Sequence, residues 1–178
     1  MLTGVQLIEN ILKIAGPLPQ KKIQKLAYLA EIEYAEKHGA RLSDLSFIRY
    51  YYGPFSSDIR NIEDEDDNIV TEEVQQETYP AKKSRIVAPE KVDKLEPEIE
   101  SHLKEVITKY IEKTGKELEI IADNTEPFGE TVNFKDPIDL EGYAKYHAII
   151  GSDNFLKEIM EKDEENQRKG LYQQANSR

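Results

Sequence analysis

Histidine and cysteine, the side chains that most often hold metals or act as catalytic groups at neutral pH, are rare in this sequence. The chain has no cysteine, which excludes a disulfide, a thiol nucleophile and a thiolate metal site. The three histidines, His38, His102 and His147, fall on three different predicted elements, and none has the spacing of a metal-ligand motif. Glu98 and His102 share a helix face, but two ligands without a third do not make a metal site. We therefore expect no metal.

The patterns of hydrolases and nucleotide-binding enzymes are also missing. Ser56 and Ser57 begin a predicted helix without the Gly-x-Ser-x-Gly elbow of a hydrolase. Gly53 is a single turn glycine and does not belong to a glycine-rich phosphate loop. Carboxylates are plentiful, but no pair is placed in an identifiable cleft. The sequence therefore predicts a protein that is not an enzyme and binds no cofactor.

The most unusual residues are aromatic and lie together in the stretch Phe47-Ile48-Arg49-Tyr50-Tyr51-Tyr52-Gly53-Pro54-Phe55. Residues 47–52 are almost all aromatic or β-branched, which favours a β-strand. Gly53 supplies backbone freedom, and Pro54 has the fixed φ that suits the first position of a helix. The stretch therefore predicts a strand, a tight turn and then a helix.

Side chains along a strand alternate between its two faces. One face would hold Phe47, Arg49 and Tyr51, and the other would hold Ile48, Tyr50 and Tyr52. One face can fill the core, and the other, if uncovered, would be an aromatic surface of the kind enriched at protein interfaces. The alternative is a strand covered by helices on both faces. The predicted partner-binding residues are Arg49, Tyr50, Tyr51, Tyr52, Gly53, Pro54 and Phe55.

The net charge of −11 is unevenly distributed along the chain. Residues 1–60 hold 8 Lys and Arg against 6 Asp and Glu, whereas residues 61–178 hold 16 against 29. An acidic surface repels phosphate backbones and suits a basic protein partner. The alternative is that the acidic excess only keeps the protein in solution.

The length and hydropathy of the chain favour one soluble domain. At 178 residues we expect a single domain over residues 1–160, followed by a charged helix end or disordered tail over residues 161–178. No run approaches the roughly 18 apolar residues that a membrane span needs, and the N-terminus does not resemble a signal peptide. We therefore expect a cytoplasmic protein without membrane contact.

Two predicted helices precede the aromatic stretch. Thr3 and Gln6 form a capping box that begins the first helix, and Gly16-Pro17 ends it. The second helix runs from Pro19 to His38, and Gly39 provides its left-handed end. Its apolar residues cover more than one side, which predicts the central helix of the fold. Lys21, Lys22 and Lys25 in its first turns favour either an anionic contact or a solvated face.

The elements after the aromatic stretch complete an α+β fold. A helix with Phe55, Ile59 and Ile62 on one face comes first, and residues 69–88 predict a hairpin whose opposed charges favour cross-strand pairing or, alternatively, a DNA-touching wing. A long helix from Pro97 to Gly115 and a short one over 116–123 follow. Residues 127–137 are expected to be irregular, and Asp139 caps a last helix whose predicted buried residues are Tyr143, Tyr146, His147 and Ile150. The predicted fold is mainly helical, with a small antiparallel sheet and a winged-helix-like order of elements.

Three stretches carry a family resemblance. Ile23-Gln24-Lys25-Leu26-Ala27-Tyr28-Leu29-Ala30 is similar to a Leu-Gln-Lys-Leu-Leu-Tyr helix motif, and Tyr52-Gly53-Pro54-Phe55 is similar to a Tyr-Gly-Pro-Val turn. Glu117-Leu118, Ile121 and Pro127-Phe128 stand where the same family has Leu-Ser-x-Leu-Thr-His and then Pro-Trp. Together they resemble the Panacea domain, also called the SocA-like antitoxin domain, over residues 5–150. Ala122-Asp123 replace the family's Thr-His, and Phe128 replaces its Trp.

The resemblance implies a mainly helical α+β fold with a small antiparallel sheet. It also implies an antitoxin, which directly binds and neutralises a toxin protein encoded by a neighbouring gene. One alternative is an adaptor that delivers a toxin to a protease, as the family's namesake does. A second alternative is a winged-helix-like DNA-binding regulator, although the helix after Pro54 offers only Arg60 beside acidic residues. A basic toxin therefore remains the expected partner, ahead of nucleic acid.

Overall fold

The computed structural model describes residues 1–74 and 81–151. In chain order the elements are α1 (Gly4–Ala15), α2 (Gln20–His38), β1 (Ile48–Tyr50), β2 (Gly53–Phe55), α3 (Ser57–Glu65), β3 (Ile69–Val74), β4 (Ala81–Ile86), a 3-10 turn (Pro89–Lys91), α4 (Pro97–Tyr110), α5 (Gly115–Asp123), α6 (Glu126–Glu130) and α7, described over 140–151. β1 pairs with β2 and β3 pairs with β4, both antiparallel. The predicted fold class, mainly helical α+β with small antiparallel sheets, is confirmed.

The ends of the first two helices are set by local hydrogen bonds and by one glycine. In the capping box, Gln6 N donates to Thr3 Oγ1 at 3.2 Å and Thr3 N donates to Gln6 Oε1 at 3.1 Å. α2 ends at Gly39, whose φ of 60° and ψ of 28° are left-handed. Both predicted helices are therefore confirmed, with Pro19 just outside α2.

α2 is the central helix, as predicted. It packs against α1, α3, α4, α5 and β2, and its middle residues are buried on several sides. Tyr28 is fully buried, and its ring meets Phe47 edge to face at a centroid distance of 5.3 Å. Lys25 is also buried, at 3% exposure. A solvated face is therefore wrong for Lys25.

The aromatic stretch is a hairpin, so the predicted strand over residues 47–52 is too long, and the predicted turn at Gly53-Pro54 leading into a helix is wrong. Tyr50 pairs with Gly53, which leaves Tyr51 and Tyr52 as the turn, and α3 begins only at Ser57. Pro54 lies in β2 opposite Arg49. The missing N–H of proline costs nothing there, because the N–H and C=O of Arg49 bond to residues 136 and 135 on the other side.

The second hairpin has its charges opposed across the strands. The register places Glu72 opposite Lys83 and Glu73 opposite Lys82, and Arg85 forms an ion pair with Glu72 at 2.5 Å. Its predicted turn at 79–81 falls largely outside the described residues, as does the tail over 161–178. Within residues 1–74 and 81–151, no helix is long and apolar enough to cross a membrane.

The elements after residue 97 differ from the prediction in three places. α4 ends at Tyr110 and does not reach Gly115, because Thr114 and Glu117 form a second capping box that begins α5 at Gly115. Residues 126–130 form helix α6, so the predicted irregular segment is shorter. Asp139 caps α7 as expected, with Oδ1 accepting from Gly142 N at 2.8 Å. However, Tyr146 is half exposed, because α7 turns Leu140 and Ala144 to the core instead.

A buried carboxylate on α2 fixes the connection that leads into β1. Glu31 is 1% exposed. Its oxygens accept from Arg41 Nε at 3.0 Å, from Leu42 N at 3.2 Å and from Ser43 N at 2.8 Å, and also from the Ser43 hydroxyl. These bonds satisfy backbone N–H groups that would otherwise be buried without an acceptor.

Replacing Glu31 with alanine should therefore destabilise the fold. Glu31→Ala removes the carboxylate partner of Arg41, which keeps only its bond to Leu45 O, and leaves two buried N–H groups without an acceptor. This should lower the free energy of unfolding by about 3 kcal/mol. Urea unfolding followed by circular dichroism measures this. The control is Glu100→Ala, which removes only an exposed ion pair with Lys104 on α4 and should change stability little. Equal stabilities of the two variants would contradict the role of Glu31.

Candidate functional site

Two neighbouring side chains of α2 hold the backbone of β2 and of Ser56, the residue that follows it. Ser56 N donates to Gln24 Oε1 and Gln24 Nε2 donates to Ser56 O, both at 2.8 Å. The Lys25 ammonium donates to Pro54 O at 2.6 Å. Gln24 is buried at 3% exposure, like Lys25. The hairpin β1–β2 is therefore fixed to the central helix by buried hydrogen bonds, which are strengthened by their surroundings.

Gly53 lies where α2, α5 and the hairpin meet. Its φ is +84°, a conformation that favours glycine. A Cβ added there would lie 2.5 Å from Asp123 Oδ1 and 3.1 Å from Lys25 Nζ. Lys25 and Asp123 therefore approach the same small space from α2 and α5, and this space is open only because residue 53 has no side chain.

Burial shifts the pKa values of Lys25 and Asp123, the two charged residues next to Gly53. Burial lowers the pKa of Lys25 to about 8, and the nearby Asp123 carboxylate opposes that change. Burial likewise raises the pKa of Asp123, and Lys25 opposes it. Asp123 Oδ1 is buried without a hydrogen-bond partner among the described residues. The two charges thus compensate each other in part within an apolar setting.

Arg49 joins the hairpin to α6 and to the segment that follows it. Arg49 Nη1 donates to Phe128 O at 2.7 Å and to Thr131 O at 2.9 Å. Its guanidinium also lies 4.3 Å from the centroid of the Phe128 ring. Arg49 therefore positions this segment and is not a free cation on an exposed face.

The predicted aromatic surface is exposed at the turn of the hairpin. Tyr51 is 73% exposed and Tyr52 is 67% exposed, while Tyr50 is half-buried. Phe134 joins them, with its ring centroid 4.2 Å from that of Tyr51 and 5.1 Å from that of Tyr50. We call Tyr50, Tyr51, Tyr52 and Phe134 the aromatic surface. Phe134 was missed from the sequence, because it lies in a predicted irregular segment without strand or helix periodicity.

A small pocket lies between the hairpin and α2. Its volume is about 200 Å³, and Tyr50, Tyr52 and Phe55 line it from the hairpin. Gln24 and Lys25 line it from α2, and the Lys21 ammonium lies 5.2 Å from the centroid of the Tyr52 ring. Lys21 is also paired with Glu119 of α5. The predicted partner-binding residues thus include both the exposed turn and the wall of a pocket.

The residues of all three sequence motifs meet at this one place, in a mainly helical α+β fold whose central helix holds a short hairpin. The family model described as antitoxin SocA-like, Panacea domain, matches residues 23–127, which is more than half of the chain. The chain belongs to this family. Comparison with curated proteins and with solved structures gave no match. The matched range begins on α2 and ends at Pro127, and it is narrower than the expected 5–150.

The departures from the family motifs have clear structural settings. Asp123, in place of the expected histidine, carries a negative charge toward the buried Lys25. Ala122 is fully buried. Phe128, in place of the expected tryptophan, is buried and lies against the Arg49 guanidinium. Each replacement is therefore compatible with the packing between α5, α6 and the hairpin.

The space around Gly53 leads to a prediction about stability. Gly53→Ala places a methyl group against Asp123 and Lys25 at a positive φ, and should lower the free energy of unfolding by about 2 kcal/mol. The matched control is Gly129→Ala in α6, where nothing lies within 4 Å of an added Cβ; it should be neutral or slightly stabilising. Urea unfolding compares the two, and a harmless Gly53→Ala would contradict the close approach.

The lowered pKa of Lys25 leads to a pH prediction. Lysine in the unfolded chain titrates near 10.5, whereas Lys25 in the folded chain titrates near 8. Between these values the unfolded chain binds more protons, so the stability contributed by this residue rises with pH. We expect the stability of the wild type relative to Lys25→Met to increase by about 3 kcal/mol from about pH 7 to about pH 10.

Urea unfolding of both proteins across this pH range measures the difference. Tyrosines and carboxylates that titrate alike in both proteins cancel in the comparison. A difference that stays constant with pH, or that falls, would show that the folded protein does not lower the pKa of Lys25.

Proposed function

We propose that the protein is an antitoxin that binds a toxin protein and neutralises it directly, without catalysis. The main observation in support is the aromatic surface, which is exposed at the turn of the hairpin β1–β2. Tyrosine is enriched among the residues that dominate protein–protein binding energy. The proposed interface is the stretch Arg49, Tyr50, Tyr51, Tyr52, Gly53, Pro54 and Phe55. Within it the exposed rings of Tyr51 and Tyr52 make the contact, and the more buried residues hold them in place.

The buried hydrogen bonds below the turn support this assignment. Gln24 and Lys25 fix the backbone at Ser56 and Pro54, so the chain that carries Tyr51 and Tyr52 is ordered before any partner arrives. A surface that is already ordered loses less conformational entropy on binding. The geometry therefore favours tight binding through few side chains.

Charge favours a basic partner, and membership of the antitoxin family favours one encoded by a neighbouring gene. The net charge is −11, and the acidic excess lies in residues 61–178. Complementary charge speeds the encounter of two proteins and disfavours partners of like charge. Co-production of the two proteins from adjacent genes would keep such a toxin bound as soon as it is made.

DNA binding is the weaker alternative. On α3, Arg60 is accompanied by the acidic Asp58 and Asp64, and the cations of β4 face acidic residues of β3. Such surfaces repel the phosphate backbone.

A second alternative is an adaptor that delivers the toxin to a protease. An adaptor would use the same toxin-binding surface, but the bound toxin would be degraded.

Truncating the exposed tyrosines should abolish neutralisation and leave the fold intact. Tyr51→Ala and Tyr52→Ala remove mostly exposed rings, so stability should change by less than about 0.5 kcal/mol. Co-expression with the toxic product of the neighbouring gene should show rescue of growth by the wild type and loss of rescue by the double variant. Binding should weaken at least about tenfold.

The control for this experiment is Val87→Ala, which truncates an exposed apolar side chain at the end of β4. It should rescue growth like the wild type. Rescue by the tyrosine variant would place the interface elsewhere, and failure of the wild type to bind the toxin would contradict the proposed function. Toxin abundance separates direct neutralisation, which leaves it unchanged, from delivery to a protease, which lowers it.

A further inference from the structure

A large groove lies beside the aromatic surface, outside the family motifs of the hairpin. Its volume is about 720 Å³, within the range of ligand-binding clefts. It runs between α6, the segment 131–139 and α7. Its acidic lining residues are Glu126, Glu130, Asp136 and Asp139, and its apolar and aromatic ones include Val132, Tyr143 and Tyr146.

The groove and the aromatic surface share one wall. Ile138 N donates to Phe47 O at 2.8 Å, and Arg49 N donates to Asp136 O at 2.9 Å, so the segment after α6 pairs with β1. Phe134, in the same segment, stacks on Tyr51. The hairpin therefore fixes the segment that belongs to both surfaces.

The apolar residues along this wall point to a protein partner. Val132 is 81% exposed and Phe134 is 43% exposed. Tyr146, on the opposite wall, is 50% exposed. Val132 and Tyr146 line the groove, and Phe134 lies two residues beyond Val132 in the same segment. Several exposed apolar residues on neighbouring elements mark an interaction surface more often than a solitary one does.

The negative charge of the groove favours a positively charged partner. No lysine or arginine is among the described residues that line it. The side chains of Glu126 and Glu130 are exposed, and neither is in an ion pair within the described ranges 1–74 and 81–151. The cations on the elements around the groove have other contacts: Arg49 is bonded to backbone oxygens, Lys145 of α7 is paired with Glu141, and the Lys135 ammonium lies 5.6 Å from the Phe134 ring centroid. The field in the groove is therefore negative.

We propose that this groove binds a basic and partly apolar segment of the partner protein. A lysine or arginine of that segment lies among the carboxylates and against the faces of Tyr143 and Tyr146. An adjacent apolar side chain packs on Val132 and Phe134. The assignment rests on the proposed function, because the partner is the toxin, and it extends the interface from the hairpin to the segment 131–139.

A defined peptide tests the chemistry without the toxin. The probe is a fluorescein-labelled dodecapeptide of alternating arginine and leucine, and its counterpart has glutamate in place of every arginine. Fluorescence anisotropy should show that the wild type binds the arginine peptide and not the glutamate peptide. Glu126→Gln with Glu130→Gln should weaken binding about tenfold, as should a rise in salt from about 50 to about 300 mM.

The control separates this groove from the general acidity of the protein. Glu90→Gln with Glu112→Gln changes the net charge by the same amount at exposed positions outside the groove. It should leave peptide affinity within about twofold of the wild type. Equal losses in both double variants, equal binding of the two peptides, or no binding of the arginine peptide would each overturn the proposal.

Co-expression with the toxin separates this proposal from the proposed function. If the wild type and the groove variant rescue growth equally, the groove assignment is overturned and the antitoxin function stands. If the groove variant fails and its Glu90 and Glu112 control rescues, the assignment is supported. If the wild type itself fails to rescue, the antitoxin function is overturned, and selective loss of peptide binding in the groove variant still supports a site for a basic segment.

Discussion

The structure depends on the hydrogen bonds that α2 makes to the backbone at Pro54 in β2 and at Ser56 directly after it. The strands β1 and β2 have three residues each, and a hairpin of that size has little stability in isolation. Gln24 provides both an acceptor and a donor to Ser56, and Lys25 provides a donor to Pro54. These bonds replace the strand neighbours that a larger sheet would supply. The position of the turn at residues 51 and 52 follows from them.

This arrangement buries a lysine, which has a cost in free energy. Desolvation disfavours the charged ammonium, and this is the main reason why the pKa of Lys25 is lowered. The bond to Pro54 O and the field of Asp123 offset part of the cost. Because Gly53 lacks a side chain, Lys25 and Asp123 both come close to the hairpin. The lysine, glycine and aspartate therefore form one unit, although they come from α2, the hairpin and α5.

The same unit explains how the protein displays apolar side chains without losing its fold. The polar bonds lie below the hairpin, so the rings at its turn are not needed in the core and can face solvent. Arg49 connects the hairpin to α6 and the segment after it, because it bonds to the backbone at Phe128 and Thr131. The aromatic surface and the acidic groove are thus supported by the same few contacts. For an antitoxin, this would place apolar anchors beside a charged surface of fixed shape.

The ends of α1 and α2 and the central position of α2 could be predicted from the sequence, because the Thr3–Gln6 capping box and the left-handed end at Gly39 act between residues close in the chain. The end of α4 was predicted wrongly, because the capping box of Thr114 and Glu117 begins a new helix at Gly115. The three family motifs could also be recognised in the sequence, because each consists of particular residue types at fixed spacing. The turn at Tyr51 and Tyr52, the burial of Lys25 and the stacking of Phe134 on Tyr51 were decided only by the tertiary structure. Each depends on which distant segment supplies a hydrogen-bond partner or covers a face, and residue type alone does not encode that choice.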